Sequence, residues 1–294
     1  MQSGFSVENI SFSASGRPLL TDVSLDCRPG QFTVIVGPNG AGKTTLMRLL
    51  AGDQQPTAGA VLYNGQLLQR FRPMDLAKIR AVMAQSVQIN FPYTVFEVVK
   101  LGTMARSDLK PAELGDLVLQ RLGDVDLNGY ADRLYQSLSG GEQQRVQLAR
   151  ALCQIDGPSP GGQSRYLFLD EPISSLDVRH QLDVMNIARR FVDAGGSCIA
   201  ILHDLNIASM YADELAVLNN GTIYAYGKPK DLLCEKTLEE VYGLRIRSQN
   251  TLNTDTLVFA PQMIIPACDM SGPDCASPTE TTSDRSDCPP DAWS

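Results

Sequence analysis

The stretch FTVIVGPNGAGKTT, residues 32–45, decides how this chain folds. Four of its first five residues are apolar, with Thr33 the exception, which predicts a short strand buried on both faces. The next nine, GPNGAGKTT at 37–45, fit the spacing G-x-x-x-x-G-K-[ST]. Apolar spacing after Lys43 predicts a helix from Lys43 to about Ala51. A strand, a glycine-rich loop and a helix in that order make a phosphate cradle. Gly37, Gly40 and Gly42 let the backbone curl so that N–H groups face inward, with Pro38, Asn39 and Ala41 completing the turn. The helix that follows presents the positive end of its dipole. In such a cradle Lys43 reaches the outer phosphates, the Thr44 hydroxyl suits magnesium, and Thr45 belongs to the same binding turn.

Upstream, FSVENISFS and LLTDVSLDC alternate well enough to predict two strands. GAVLYNGQLL predicts a strand, a turn at Asn64-Gly65 and a second strand. Far downstream, RYLFLDEP is another buried strand, ending in Asp170. A carboxylate there emerges at the carboxyl edge of the sheet, where ligands bind in open α/β folds. Asp170 therefore suits the magnesium, and Glu171 is a candidate base for water. SSLD (174–177) follows, and Ser174 or Ser175 is expected to cap the helix after it. SCIAIL and ELAVLNNGTIYAYG predict further strands, and His203 ends the first of these. Gln85 follows RAVMA. Taken singly, Gln85 and His203 carry no function. Strands alternating with helices imply a largely parallel sheet.

Between about Asp75 and Leu152 apolar residues recur at helical spacing, which predicts a helical insert. Within it, LSGGEQQR (138–145) fits the capping box S-x-x-E, with Ser139 capping the helix and Glu142 reaching back. That explains the serine and the glutamate. It leaves Gly140 and Gly141 without a reason, because glycine in a helix is entropically unfavourable. They make sense if something must approach the backbone closely.

Composition narrows the classes. The chain has 294 residues and a net charge of -8, so no basic excess points to nucleic acid as a partner. The last 28 residues (267–294) hold six acids and one base, and read as a disordered acidic tail. No apolar run approaches the ~18 residues of a membrane span, and no secretory leader is expected. The seven cysteines show no metal-ligand spacing and are expected to be free thiols. Cys288-Pro289 in the tail is a dipeptide able to ligate haem iron, and its setting makes a chance occurrence the simpler reading.

Six motifs now stand in a fixed order: the loop at 37–45, Gln85, LSGGEQQR, RYLFLDEP, SSLD and His203. In that order and spacing the chain resembles ABC-transporter ATPase subunits, from about Phe5 to Ser248. The resemblance implies an α/β fold with a P-loop NTPase (RecA-like) core, a mixed sheet, an N-terminal antiparallel β subdomain and an inserted α-helical subdomain. The ATPase domain is expected over 1–266, with its core at about 1–85 and 164–248 and the helical subdomain at about 86–163. It further implies ATP and Mg2+, and a head-to-tail pair of identical subunits. Gly37, Pro38, Asn39, Gly40, Ala41, Gly42, Lys43, Thr44, Thr45 and Gln85 would hold ATP in one copy. Ser139, Gly140, Gly141, Glu142 and Asp177 would meet the ATP of the other. Thr44, Asp170 and Gln85 would serve the metal, Glu171 would polarise the attacking water, and His203 would contact the γ-phosphate. Gln85 would also link the nucleotide to a membrane partner.

Within the family, LDVRHQ and LHDLNIASMYADELAVLNNGTIYAYGKP resemble importer subunits that serve iron-siderophore, vitamin B12 and haem permeases. FPYTVFEVV and the insert at about 154–164 look most like haem-importer ATPases. The implied setting is peripheral, on the cytoplasmic face of the inner membrane, with a permease and, indirectly, a substrate-binding protein as partners. A siderophore or cobalamin importer is the alternative, and a soluble ABC ATPase outside transport a weaker one. Many family members stack adenine on an aromatic residue where this chain has Ala14. Phe12, two residues away, is the candidate replacement, and weak discrimination between ATP and GTP is expected.

Overall fold

The computed structural model describes residues 4–85, 89–106, 109–155, 164–246 and 264–266. The chain opens with an antiparallel pair, β1 (Phe5–Ala14) and β2 (Arg17–Cys27). β3 (Phe32–Val36) runs into the glycine-rich loop and α1 (Lys43–Ala51), the helix bounds that the sequence predicts. β4 (Ala58–Tyr63) and β5 (Gln66–Leu67) follow, joined at Asn64-Gly65, both at positive φ as a tight hairpin turn requires. Next come α2 (Pro73–Ile79), β6 (Arg80–Met83), α3 (Val95–Lys100), α4 (Pro111–Asp124) and α5 (Gly140–Gln154). β7 (Tyr166–Asp170), α6 (Val178–Asp193), β8 (Ser197–Ile201) and α7 (Leu205–Tyr211) alternate as a parallel sheet demands. β9 (Glu214–Asn219), β10 (Thr222–Gly227), α8 (Pro229–Leu232), α9 (Glu235–Tyr242), β11 (Leu244–Ile246) and β12 (Ile264–Pro266) complete the described chain.

Among the described residues the strands form two main sheets. One is four-stranded and antiparallel, in the order β2-β1-β4-β5. The other is six-stranded, in the order β10-β9-β3-β8-β7-β6, parallel except for its β9–β10 edge pair. The mixed sheet and the antiparallel N-terminal sheet agree with the expected fold class.

Strand periodicity explains why the central strands are apolar at nearly every position. Successive side chains point to opposite faces. Tyr166 and Phe168 join a core with α1 and the antiparallel sheet, whereas Leu167 and Leu169 join a core with α5 and α6 residues such as Leu148 and Met185. Both faces are covered, so both sets must be apolar. α1 buries Leu46, Met47, Leu49 and Leu50 in the first of these cores.

Three expectations need correction. The helical insert does not begin at Asp75, because Arg80–Met83 is a strand paired in parallel with β7 at the sheet edge. Its four residues are too few to show a period of two against the helical pattern around them. The cap of α6 is Asp177, neither Ser174 nor Ser175, since the helix starts at Val178 and the Asp177 carboxylate accepts from the His180 N–H at 2.9 Å. Cys27, Cys153 and Cys198 are buried free thiols, but Cys234 is disulfide-bonded. Most of the insert at 154–164, and the tail at 267–294 with Cys288, lie outside the described residues. Among the described residues no helix is long and apolar enough to cross a membrane.

Phe5 joins the two sheets. Its ring is fully buried, with centroids 4.9 Å from Tyr63, 4.8 Å from Tyr166 and 5.4 Å from Phe168. Phe5→Ala removes that edge-to-face packing and leaves a cavity between the layers. It is expected to destabilise the protein by about 3–5 kcal/mol, read as a lowered urea midpoint in equilibrium unfolding.

Candidate active site

Four neighbouring strands of the six-stranded sheet, β6, β7, β8 and β3, run parallel and release the chain at one edge. Gln85 follows β6. Asp170 ends β7, with Glu171 next. His203 follows β8, and the glycine-rich loop follows β3. Topology alone therefore gathers every candidate of the phosphate and water chemistry into one row.

The loop is held from outside. Gly221 N–H donates to the Ala41 carbonyl, and Thr21 N–H donates to the Gly221 carbonyl, which ties the cradle to the β9–β10 turn and to β2. Gly42 caps α1 with φ 101°, and a Cβ there would come 2.8 Å from both the Leu19 carbonyl and the Leu20 Cδ2. No larger residue fits that corner. Asn39 and Gly40 are exposed at the crest of the loop. Lys43 folds back over it, donating from Nζ to the carbonyls of Gly37 at 2.8 Å and Pro38 at 2.9 Å. Burial lowers the Lys43 ammonium from its ordinary value, against the opposing pull of Glu171 and Asp170. A desolvated ammonium beside inward-facing amides favours an anion.

Thr44 Oγ1 lies 3.4 Å from Asp170 Oδ1. Asp170 is buried, and burial, then the neighbouring Glu171 charge, raises its carboxyl above the ordinary range. A hydroxyl and a buried carboxylate are hard oxygen donors, a donor set that fits a hard divalent cation such as magnesium.

Glu171 is the centre of the row. Its Oε2 accepts from Gln85 Nε2 at 2.7 Å, and its Oε1 pairs with His203 Nε2 at 2.6 Å. The backbone of Glu171 is left-handed, with φ 51°, which is uncommon for a residue with a side chain. The Gln85 amide is thus engaged with Glu171 and makes no bond to Thr44 or Asp170. Thr45 continues α1 on the flank of the loop, half-buried.

The second set of candidates stands on α5 and on the turn before α6. Ser139 caps α5 in a full capping box: its Oγ accepts from the Glu142 N–H at 3.3 Å, and Glu142 Oε2 accepts from the Ser139 N–H at 2.8 Å. These bonds hold the Glu142 carboxyl below its usual range. Ser139 and Gly140 are exposed, and the position of a Gly140 side chain is open space. Gly141 differs. A Cβ there would come 3.0 Å from Leu176 Cδ2, because the helix end is seated on the turn at 174–176. One of the two glycines therefore has an intramolecular reason, and the other offers backbone outward. Asp177 is exposed, and hydrogen bonds from His180, first from its backbone N–H, hold its carboxyl low.

Phe12 is half-buried against the N-terminal core and stands opposite Leu20 on β2, whose side chain touches Gly42. Ala14 stands opposite Arg17. Reading the sequence missed Gln144 and Ser174, which join α5 to Glu171. Ser174 looked like a helix cap, and only the extra turn before Val178 distinguishes the two roles.

Residues 20–174 match the ABC transporter family. The chain is 50% identical over 239 residues to the hemin import ATP-binding protein HmuV of Rhizobium meliloti (strain 1021), covering 81% of this chain and 91% of that protein. Its fold is similar to a metal-chelate type ABC transporter in an inward-facing conformation, with a TM-score of 0.68 and 24% identity over 83% of this chain and 90% of that one. It is also similar to an ATP-binding cassette in a dimeric post-hydrolysis state bound to ADP and Pi, with a TM-score of 0.66 and 25% identity over 76% of this chain and 98% of that one. The chain belongs to the ABC transporter family, as an ATP-hydrolysing subunit.

Proposed function

We propose that this subunit powers haem uptake. Two copies pair head to tail on the cytoplasmic face of the inner membrane and drive a separate permease fed by a substrate-binding protein. The haem assignment is supported by the half-identity to a hemin import ATP-binding protein along nearly its whole length. In this reading the substrate is chosen by the partner chains. Exposed Phe91, Tyr93, Leu101 and Met104 flank α3, and an apolar surface of that kind suits a permease segment.

The observation that carries the catalytic reading is the Glu171 carboxylate, held between Gln85 and His203 beside the Thr44–Asp170 pair. In this reading phosphate oxygens replace the Gly37 and Pro38 carbonyls as partners of Lys43. The amides of residues 37–45 cradle the phosphate chain, and Phe12 contributes to holding the base. Thr44 and Asp170 would hold magnesium, with Gln85 a further candidate ligand, and the ion when bound would neutralise phosphate charge. Glu171 orients and deprotonates water, which requires one of its two present partners to let go. His203 is then free to turn to the γ-phosphate, and Gln85 reports the change toward the permease.

Ser139, Gly140, Gly141 and Glu142, with Asp177, meet the nucleotide of the second copy. Closure joins two half-sites around each nucleotide, and loss of the γ-phosphate removes the bridge so that the dimer opens.

Glu171→Gln is expected to bind ATP and lose about two to three orders of magnitude in turnover. It should accumulate an ATP-dependent dimer on size-exclusion chromatography, and a monomer with full turnover would remove Glu171 from the mechanism. Ser139→Arg is expected to lower turnover by about a hundredfold or more, while a fluorescent ATP analogue still titrates the single chain with unchanged affinity. Reconstitution with the permease in liposomes tests the substrate. ATPase stimulation by a haem-loaded binding protein is expected, and stimulation only by siderophore- or cobalamin-loaded ones would reassign the importer.

A further inference from the structure

The helix that offers Ser139 and Gly140 outward is also wired inward, to the backbone carbonyl of Glu171 in its own chain. Gln144, one turn into α5, donates from Nε2 to Ser174 Oγ at 3.2 Å. Ser174 Oγ in turn donates to the Glu171 carbonyl at 3.3 Å. The polarity closes: the serine hydroxyl has one hydrogen, which goes to Glu171, and a lone pair, which receives the amide. The Ser174 N–H points to the same carbonyl, at 3.5 Å.

What this chain of bonds holds is the least ordinary backbone in the site. Glu171 sits at φ 51°, a conformation that a residue with a side chain keeps only when its surroundings impose it. Pro172 follows immediately and Asp170 is locked in β7, so the carbonyl is the free handle on that turn. The seat is shaped for α5 as well. Gly141 lets the helix approach Leu176 closely: a Cβ there would come 3.0 Å from Leu176 Cδ2 and 3.4 Å from the Ser175 carbonyl, tight enough that the neighbour would have to give. The Gln144 Oε1 is buried without a partner, so its amide is oriented by the bond to Ser174 and by no second bond of its own.

We propose that Gln144 and Ser174 are positioning residues. They fix the left-handed turn at Glu171, and so aim its carboxylate between Gln85 and His203, only while α5 is seated on the turn at 174–176. The end of α5 that faces the neighbouring copy thereby controls the alignment of water chemistry in its own copy. This inference rests on Glu171 being the group that activates water.

The test is steady-state ATPase of the full chain, with Ser174→Ala, Gln144→Ala, their double variant and Ser174→Thr. Loss of the hydroxyl is expected to lower kcat about tenfold, with KM for ATP changed less than about twofold. Because both residues act through one chain of bonds, the double variant is expected to lose no more than Ser174→Ala alone. Ser174→Thr, which keeps the hydroxyl, is expected to recover most of the rate. Unfolding midpoints measured alongside should move little, since Ser174 is exposed and Gln144 only partly buried. An unchanged kcat in Ser174→Ala, additive losses, or a Ser174→Thr variant as slow as the alanine would overturn the proposal. Glu171→Gln run in parallel separates the two levels. If it abolishes turnover while Ser174→Ala does not, only the positioning role fails, and if it retains turnover the reading of the site fails with it.

Discussion

Everything in the site depends on the register of four buried parallel strands. β6, β7, β8 and β3 end at one edge, so residues 86 and 32 positions away from Glu171 become its hydrogen-bond partners. Register is secure because the two faces differ. A slip of one residue in β7 would exchange Tyr166 and Phe168 with Leu167 and Leu169 between cores of unlike shape. Asp170 is the next residue after that alternating set, and its place is therefore fixed by packing on both sides. The chemistry is carried by short turns, but their positions are set by the strands beneath them.

Burial at that edge works against charge, and the direction of each effect points to what belongs there. Desolvation lowers the Lys43 ammonium and raises the Asp170 carboxyl. Each group is thus held in surroundings that disfavour its ionised form. An anion on the loop offsets the first effect and a cation beside Thr44 offsets the second. A magnesium-bound polyphosphate supplies both at once, which neither a bare metal nor a neutral ligand does. The Thr44 hydroxyl and the Asp170 carboxylate are both oxygen donors, in keeping with a hard ion.

Local features were legible in the sequence where one short segment determines them. The bounds of α1, the buried strand at Tyr166–Asp170 and the reciprocal cap of Ser139 and Glu142 all follow from residues within a turn or two of each other. The failures have a common cause. β6 is too short to show its period beside helical neighbours, and its membership in the sheet is decided by pairing with β7. SSLD offers three residues able to cap a helix, and only the observed start at Val178 selects Asp177. The contact of Gln85, Glu171 and His203 depends on strand order, with β8 lying between β3 and β7, and no local pattern encodes that order. Motif spacing could name these residues, but only the sheet could bring them together.

The two glycines of LSGGEQQR separate into two physical roles. Gly141 is small because α5 rests on the turn at 174–176 of the same chain, while Gly140 is small with nothing of its own chain nearby. A helix end that is packed tightly on one side and left open on the other is suited to transmit force between the two sides. Its open side presents Ser139 and Gly140, and its packed side leads through Gln144 and Ser174 to Glu171. In the head-to-tail pair proposed above, two sites need no flexible linker to consult each other: the same helix is a wall of one and a support for the Glu171 turn of the other, so completing either site sets the geometry of its counterpart.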